Sequence, residues 1–86
     1  MATESKPIKL QLDADPRFAA GIGGAVRCLA ETSGLAEDVC RGLQQATVRA
    51  CLESFASAEV SPHIVELSRS GNRIEVRVDS KPVDFS

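Results

Sequence analysis

Aromatic side chains are scarce in this chain of 86 residues, which contains three Phe and neither Tyr nor Trp. Proteins that bind single-stranded nucleic acid usually stack its bases on aromatic rings, so the composition disfavours such a site. The formal net charge of −2 also lacks the positive excess that attracts nucleic acid or an anionic membrane. We therefore expect neither nucleic acid nor a membrane as a partner.

Long apolar runs are absent as well. The chain has no stretch of the roughly 18 apolar residues that a transmembrane helix needs, and residues 1–7 lack the apolar core of a signal peptide. Cys28, Cys40 and Cys51 are odd in number and have no metal-type spacing, so we expect small buried side chains rather than disulfides or metal ligands. These features predict a cytoplasmic protein without a metal.

The first part of the sequence has clear signals for a strand and a helix. Residues 1–86 are expected to form one domain with an ordered core of about residues 7–80. Alternating apolar and polar residues over 8–12 predict a strand with one exposed face. Asp15 and Pro16 favour the N-cap and first position of a helix, and Gly34 favours its C-terminal end.

A second helix is predicted to begin at Ala36 or Glu37 and to fray over residues 56–58. Each predicted helix carries an apolar stripe at helical spacing. The stripes are Phe18, Ile22, Val26 (or Ala25) and Leu29 on the first helix, and Val39, Leu43, Ala46, Ala50 and Phe55 on the second. These faces are expected to pack on a sheet.

The last part of the sequence predicts a β-hairpin, because alternating segments at 63–69 and 74–78 flank turn-forming residues at 70–72. The element order β-α-α-β-β favours an α+β fold, a two-layer sandwich with both helices on one face of a small antiparallel or mixed sheet. The tail from Lys81 is expected to be loose. The other sheet face would carry polar residues with opposite charges available for cross-strand pairing: Lys9, Gln11, Glu66, Glu75 and Arg77.

Two local features have both a functional and a structural interpretation. The segment from Gly21 to Gly24 lacks the preceding strand and the following Lys-Ser/Thr of a P-loop, so close contact between helices is favoured. His63 is the only histidine, and no nucleophile is evidently paired with it. A structural role in a strand is therefore favoured over catalysis.

Several motifs occur in a distinctive order. Residues 15–18 read Asp-Pro-Arg-Phe before the first helix, residues 34–38 read Gly-Leu-Ala-Glu-Asp before the second, and residues 73–79 read Arg-Ile-Glu-Val-Arg-Val-Asp around the last strand. This order resembles the N-terminal half of the anti-sigma-factor serine kinases, members of the GHKL (histidine-kinase-like) ATPase superfamily, over about residues 8–80. The resemblance implies a bacterial partner-switching protein, because these kinases bind sigma factors and phosphorylate antagonist proteins.

The resemblance also assigns the family's chemical positions to this chain. The general-base Glu of the family falls at Arg49, the magnesium-binding Asn at Glu53, and the adenine-reading Asp at Ser80, or at Asp79 if the register shifts by one. Arginine cannot act as a base because it stays protonated, and a lone carboxylate beside an arginine is a poor magnesium site. An exposed Arg49–Glu53 pair one helical turn apart is the favoured interpretation.

The resemblance therefore implies a degenerate, truncated relative of these kinases. The expected function is a non-catalytic protein-interaction module without a cofactor, whose partner is a sigma factor or an anti-sigma antagonist. Open sheet edges favour a homodimer. The alternative is a residual ATP-binding protein or serine kinase, in which Glu53 and groups from a partner chain hold ATP and magnesium. A third interpretation is that the sequence is a fragment of a longer domain.

Overall fold

The protein is an α+β sandwich in the computed structural model, which describes residues 7–56, 62–71 and 73–83. The elements are β1 (Ile8–Leu12), α1 (Pro16–Thr32), α2 (Glu37–Phe55), β2 (His63–Ser70), β3 (Arg73–Val78) and β4 (Lys81–Pro82). The strands form one sheet in the order β1-β2-β3-β4, and all three neighbouring pairs are antiparallel. The predicted fold class is confirmed, and the sheet is antiparallel rather than mixed.

The helix ends follow the local signals in the sequence. The Asp15 carboxylate accepts a hydrogen bond from the backbone N–H of Arg17 at 2.9 Å, and Pro16 is the first residue of α1. Gly34 follows the end of α1 with φ +83°, a backbone conformation that costs glycine little. α2 begins at Glu37, as predicted. Neither helix in the described ranges combines the length and apolarity needed to cross a membrane.

The hydrophobic core lies between the two helices and one face of the sheet. Its residues are Ala19, Ile22, Val26 and Ala30 of α1, Cys40, Leu43 and Cys51 of α2, and Val65, Leu67, Ile74, Val76 and Val78 of the strands. The helices contribute mainly small side chains, so they can approach the sheet and each other closely. The buried strand residues are those that the alternation predicted.

The predicted helix faces are confirmed at Ile22, Val26 and Leu43, which are buried, and wrong at other positions. Phe18 is 41% exposed and Cys28 is exposed, although both were expected inside. On α2 the buried residues are Cys40, Leu43, Thr47 and Cys51, whereas the predicted Val39, Ala46, Ala50 and Phe55 are only half-buried. Much of the predicted α2 stripe is thus offset by one residue from the buried positions, with 39, 46 and 50 in place of 40, 47 and 51. Thr47 tolerates burial because its hydroxyl donates to the Leu43 carbonyl at 2.7 Å.

The two helices approach each other closely at Gly23. A Cβ built there would lie 2.4 Å from Cγ2 of Val48 and 3.3 Å from the carbonyl oxygen of Gln44, whereas Gly21 and Gly24 have open space. One turn further along α1, Arg27 donates to the side-chain oxygen of Gln44 at 3.2 Å. The predicted role of the glycine segment in helix contact is thus confirmed at Gly23.

The outward face of the sheet has charges of alternating sign in register. Glu66 of β2 lies opposite Lys9 of β1 on one side and opposite Arg77 of β3 on the other. Such neighbours attract each other across an antiparallel pair, by about 0.2–1 kcal/mol per pair. The expected placement of opposite charges across the strands is confirmed.

The prediction of a loose tail from Lys81 was wrong for Lys81 and Pro82, which form β4. Asp79 and Ser80 have φ values of 51° and 70°, as in the two-residue turns that suit the twist of a hairpin. Beyond β4, the backbone N–H of Val83 donates to the Val76 carbonyl at 2.9 Å. The remaining loose residues predicted, 1–6 and 84–86, and the predicted fraying of α2 at residues 57–58 lie outside the described residues.

Candidate functional site

Three polar side chains from different elements meet under the β3–β4 turn. They are Ser54 near the end of α2, His63 at the start of β2 and Asp79 in the turn. His63 is only 2% exposed and the Asp79 side chain 13%. The His63 Nδ1 lies 2.8 Å from Oδ2 of Asp79, and the Ser54 hydroxyl donates to the same oxygen. We refer to these residues as the Ser54–His63–Asp79 cluster.

The backbone holds Asp79 in this position. Its amide N–H donates to the Ile64 carbonyl at 2.7 Å, and its Oδ1 accepts from the Ile64 N–H at 2.8 Å. Aspartate tolerates the left-handed backbone that the turn requires better than most residues do. The ring of Phe55 lies beside that of His63, with centroids 4.9 Å apart. The turn therefore directs the carboxylate inward, toward the start of β2.

Hydrogen bonds favour the ionised form of Asp79. Burial alone would raise the pKa of Asp79, but hydrogen bonds from His63, Ser54 and the Ile64 amide, with attraction to His63, bring it below its ordinary value. Burial and, secondarily, repulsion by Asp79 raise the pKa of the neighbouring Cys51 thiol to about 11. Cys51 is therefore a neutral, unreactive thiol at physiological pH.

The cluster contains the residue types of a serine hydrolase but not the geometry. In a catalytic triad the histidine contacts the aspartate with one ring nitrogen and the serine with the other. Here the Ser54 hydroxyl lies 3.3 Å from the same Nδ1 that contacts Asp79. An ionised carboxylate only accepts hydrogen bonds, so Nδ1 carries a proton and cannot remove one from Ser54. The arrangement stabilises the fold rather than activating a nucleophile.

Sequence reasoning placed His63 in a strand but missed its partners. One signal was available, because strand alternation puts His63 on the same face as Val65 and Leu67, which belong to the core. A buried histidine needs a polar neighbour. The identity of that neighbour depends on the β3–β4 turn, which the sequence analysis did not predict.

The predicted ATP-site positions lie around a groove between α2 and the β3–β4 turn. Arg49 and Glu53 are exposed on α2, and no ion pair joins them among the described side chains, so the pair predicted there is not formed. Ser80 is exposed in the turn. The groove holds about 360 Å³ and is lined by Ala50, Glu53, Ser54, Val78, Asp79, Lys81 and Pro82. An adjoining hollow of about 190 Å³ includes Arg49 and Glu53 but not Ser80.

The groove is poorly suited to magnesium and ATP. Magnesium prefers several hard oxygen ligands, and the described residues contain no cluster of three His, Cys, Asp or Glu side chains that could hold a metal. The Asp79 carboxylate already accepts from three internal donors. Glu53 is then the remaining acidic side chain of the groove, and Arg49 cannot act as a base. The residues present do not fit the nucleotide that the resemblance implies.

Comparison of the chain with protein-family models, curated proteins and solved structures finds no match in any of the three.

Acid should destabilise the protein through Asp79. The pKa of Asp79 is lower in the folded protein than in the unfolded chain, where it is about 3.9. Such a carboxyl contributes stability above its unfolded pKa, and the contribution is lost as the pH falls through the folded value. We expect the free energy of unfolding to decrease between about pH 5 and pH 2, and less steeply in Asp79→Asn. Urea denaturation across this pH range measures the effect, and identical slopes for the two proteins would contradict it.

Proposed function

We propose that this chain is a non-catalytic protein-interaction module of bacterial regulation, related to the anti-sigma-factor serine kinases. The observation that carries the proposal is the inward-facing carboxylate of Asp79. It lies at the end of β3, where the resemblance places the adenine contact, but its oxygens accept from His63, Ser54 and the Ile64 amide. A carboxylate has about four lone-pair sites, so most of this acceptor capacity is used within the fold.

The second support comes from α2. Arg49 occupies the position that the resemblance assigns to the general base, and its guanidinium carries a permanent positive charge. Phosphoryl transfer requires a group that orients or deprotonates the nucleophile and a metal that neutralises developing charge. The groove contains Glu53 and Lys81, but its described residues form neither a metal site nor a group of side chains that could orient and deprotonate a nucleophile. An element order like the one that the resemblance implies, combined with altered chemical positions, favours binding without catalysis.

The outer face of α2 is the surface that we assign to a protein partner. Leu52 is 42% exposed, and Val48, one turn earlier, lines the same shallow depression. Gln45, Arg49 and Glu53 surround the two apolar side chains. An apolar centre with a polar rim is typical of protein interfaces. We assign a sigma factor or an anti-sigma antagonist as the partner, contacting this face through the apolar stripe of a helix.

Titration of the purified chain with a protein partner tests the proposal. Titrated with a sigma factor or antagonist encoded near its gene, the chain should bind without nucleotide. Leu52→Glu should weaken binding about tenfold, roughly 1.4 kcal/mol, because it places a charge in the apolar centre. Gln45→Glu, which adds the same charge at the rim, is the matched control. Equal affinities of the two variants would contradict the assignment of this face.

The alternative function, ATP binding, has one observation in its favour, since Glu53, Asp79 and Lys81 line the same groove. Calorimetric titration with ATP and magnesium distinguishes the two proposals. We expect no heat of binding at millimolar nucleotide. Saturable binding that is weakened by Glu53→Ala, and not by Asp38→Ala elsewhere on α2, would overturn the non-catalytic proposal in favour of the residual ATPase.

A further inference from the structure

We propose that two copies of this chain form a homodimer by pairing their β1 strands antiparallel around a two-fold axis at Leu10. The inference deepens the proposed function by assigning a second copy as one partner and the outer edge of β1 as its surface. It uses a different part of the molecule from the face of α2, so each proposal can fail independently.

The first support is the open edge of β1. β1 is the terminal strand of the sheet and pairs with β2 on one side, while no other described strand pairs with its second side. At the opposite end of the sheet, β4 is only two residues long. An open edge presents unpaired N–H and C=O groups to a further strand. With five residues, β1 offers the longer template.

The second support is that the edge has few of the features that normally block pairing. Proteins protect edge strands with proline, bulges or charges that oppose pairing. The stretch Ile8–Leu12 contains no proline or glycine, and it pairs residue by residue with 67–63 of β2 without a bulge. Its one charge, Lys9, lies opposite Glu66 of β2 in the same chain. Pro7 precedes the strand and therefore does not interrupt it.

The third support is the register that two-fold symmetry imposes. An axis at Leu10 is the residue-centred arrangement that pairs all five strand residues of both copies. It places Ile8 opposite Leu12 of the second copy and Lys9 opposite Gln11, so no like charges face each other. An axis at Lys9 would instead bring two ammonium groups together. The pattern of charge and polarity thus permits self-pairing in the fully overlapping register.

The apolar side of β1 is also incompletely covered in one copy. Ile8, Leu10 and Leu12 alternate onto one face of the strand. Leu10 and Leu12 pack against the core, whereas Ile8 is 54% exposed, more than any other large hydrophobic residue among those described. In the proposed dimer Ile8 packs against Leu12 of the second copy, which removes apolar surface from water.

Two substitutions at Gln11 test the arrangement with opposite expected signs. Gln11 is exposed, and its neighbour on β2 is the uncharged Ile64. In Gln11→Lys the new ammonium group would repel Lys9 of the second copy, and in Gln11→Glu the new carboxylate would attract it. Because the dimer is symmetric, each of these pairs occurs twice. We expect the dimer dissociation constant to rise about fivefold in Gln11→Lys and to fall about fivefold in Gln11→Glu. Sedimentation equilibrium from micromolar to millimolar chain measures both.

Two further measurements complete the test. Thermal unfolding at a concentration where the chain is monomeric should be similar for both variants, which excludes an effect on the fold. Hydrogen exchange should show β1 amides that become protected as the wild-type concentration rises. A wild-type chain that stays monomeric at millimolar concentration would overturn the dimer. A dimer with equal dissociation constants for the two Gln11 variants, and without β1 protection, would overturn the β1 interface. Neither result would affect binding through α2.

Discussion

Gly23→Ala should destabilise the protein, whereas Gly24→Ala, one residue along the same helix, should stabilise it slightly. The new methyl group at position 23 would lie 2.4 Å from Cγ2 of Val48. Val48 cannot easily move aside, because a β-branched side chain in a helix has one strongly preferred rotamer. The backbone oxygen of Gln44, 3.3 Å from the same point, limits movement on the other side. The two helices must therefore separate.

The expected magnitude follows from two opposing effects. Overpacking a close contact costs about 1–3 kcal/mol, while alanine is favoured over glycine in a helix by about 1 kcal/mol. We expect a net loss of about 1 kcal/mol for Gly23→Ala and of roughly 3 kcal/mol for Gly23→Val. Gly24→Ala has open space and should gain up to about 1 kcal/mol. Urea unfolding followed by circular dichroism measures all three changes.

A double-mutant cycle connects the loss to the helix contact. Val48→Ala removes the methyl group that the new side chain would strike, so it should cost less in the Gly23→Ala background than in the wild type. The same change combined with Gly24→Ala should be additive. If the Gly23→Ala and Gly24→Ala variants were equally stable, the close approach of α1 and α2 described above would be incorrect.

Asp79→Ala should cause the largest loss of stability, about 4 kcal/mol. The substitution removes the carboxylate that accepts from three donors: His63 Nδ1, the Ser54 hydroxyl and the Ile64 amide. An unsatisfied buried donor costs about 1–3 kcal/mol, and alanine is less tolerant than aspartate of the left-handed backbone, with φ 51°, in the turn. A domain of this size has a total stability of about 4–13 kcal/mol, so the variant should be close to unfolding.

Matched variants separate the contributions at this position. Asp79→Asn keeps an oxygen acceptor and a residue type that tolerates the turn, so we expect roughly half the loss. Asp13→Ala, which removes an exposed carboxylate near the start of α1, should change stability by less than about 0.5 kcal/mol. The free energy of unfolding in urea at neutral pH gives the comparison. An Asp79→Ala variant as stable as Asp13→Ala would show that the cluster contributes little to the fold.

Only part of the candidate site could be predicted from the sequence. Of the positions that the resemblance singled out on α2, Glu53 lines the groove and Arg49 lines the hollow beside it. Their placement follows from helix and strand order alone. The inward orientation of the Asp79 carboxylate could not be predicted from the sequence. It depends on a two-residue turn and on hydrogen bonds to residues far away in sequence. The sequence analysis therefore assigned Ser80 to a site that the turn leaves exposed.

Sequence patterns alone predict the order of the first five elements, from β1 to β3, most of their boundaries and the buried face of these three strands. These features depend on short-range rules: Asp15 caps α1, Gly34 ends it, and strand alternation selects Val65, Leu67, Ile74, Val76 and Val78 for the core. Packing between elements determines how each helix is rotated about its axis, which glycine lies at the helix contact and which partners His63 has. Those outcomes depend on how closely separate elements approach one another. That distance is determined by the fit of side chains across the whole core. Local periodicity in the sequence contains no information about this fit.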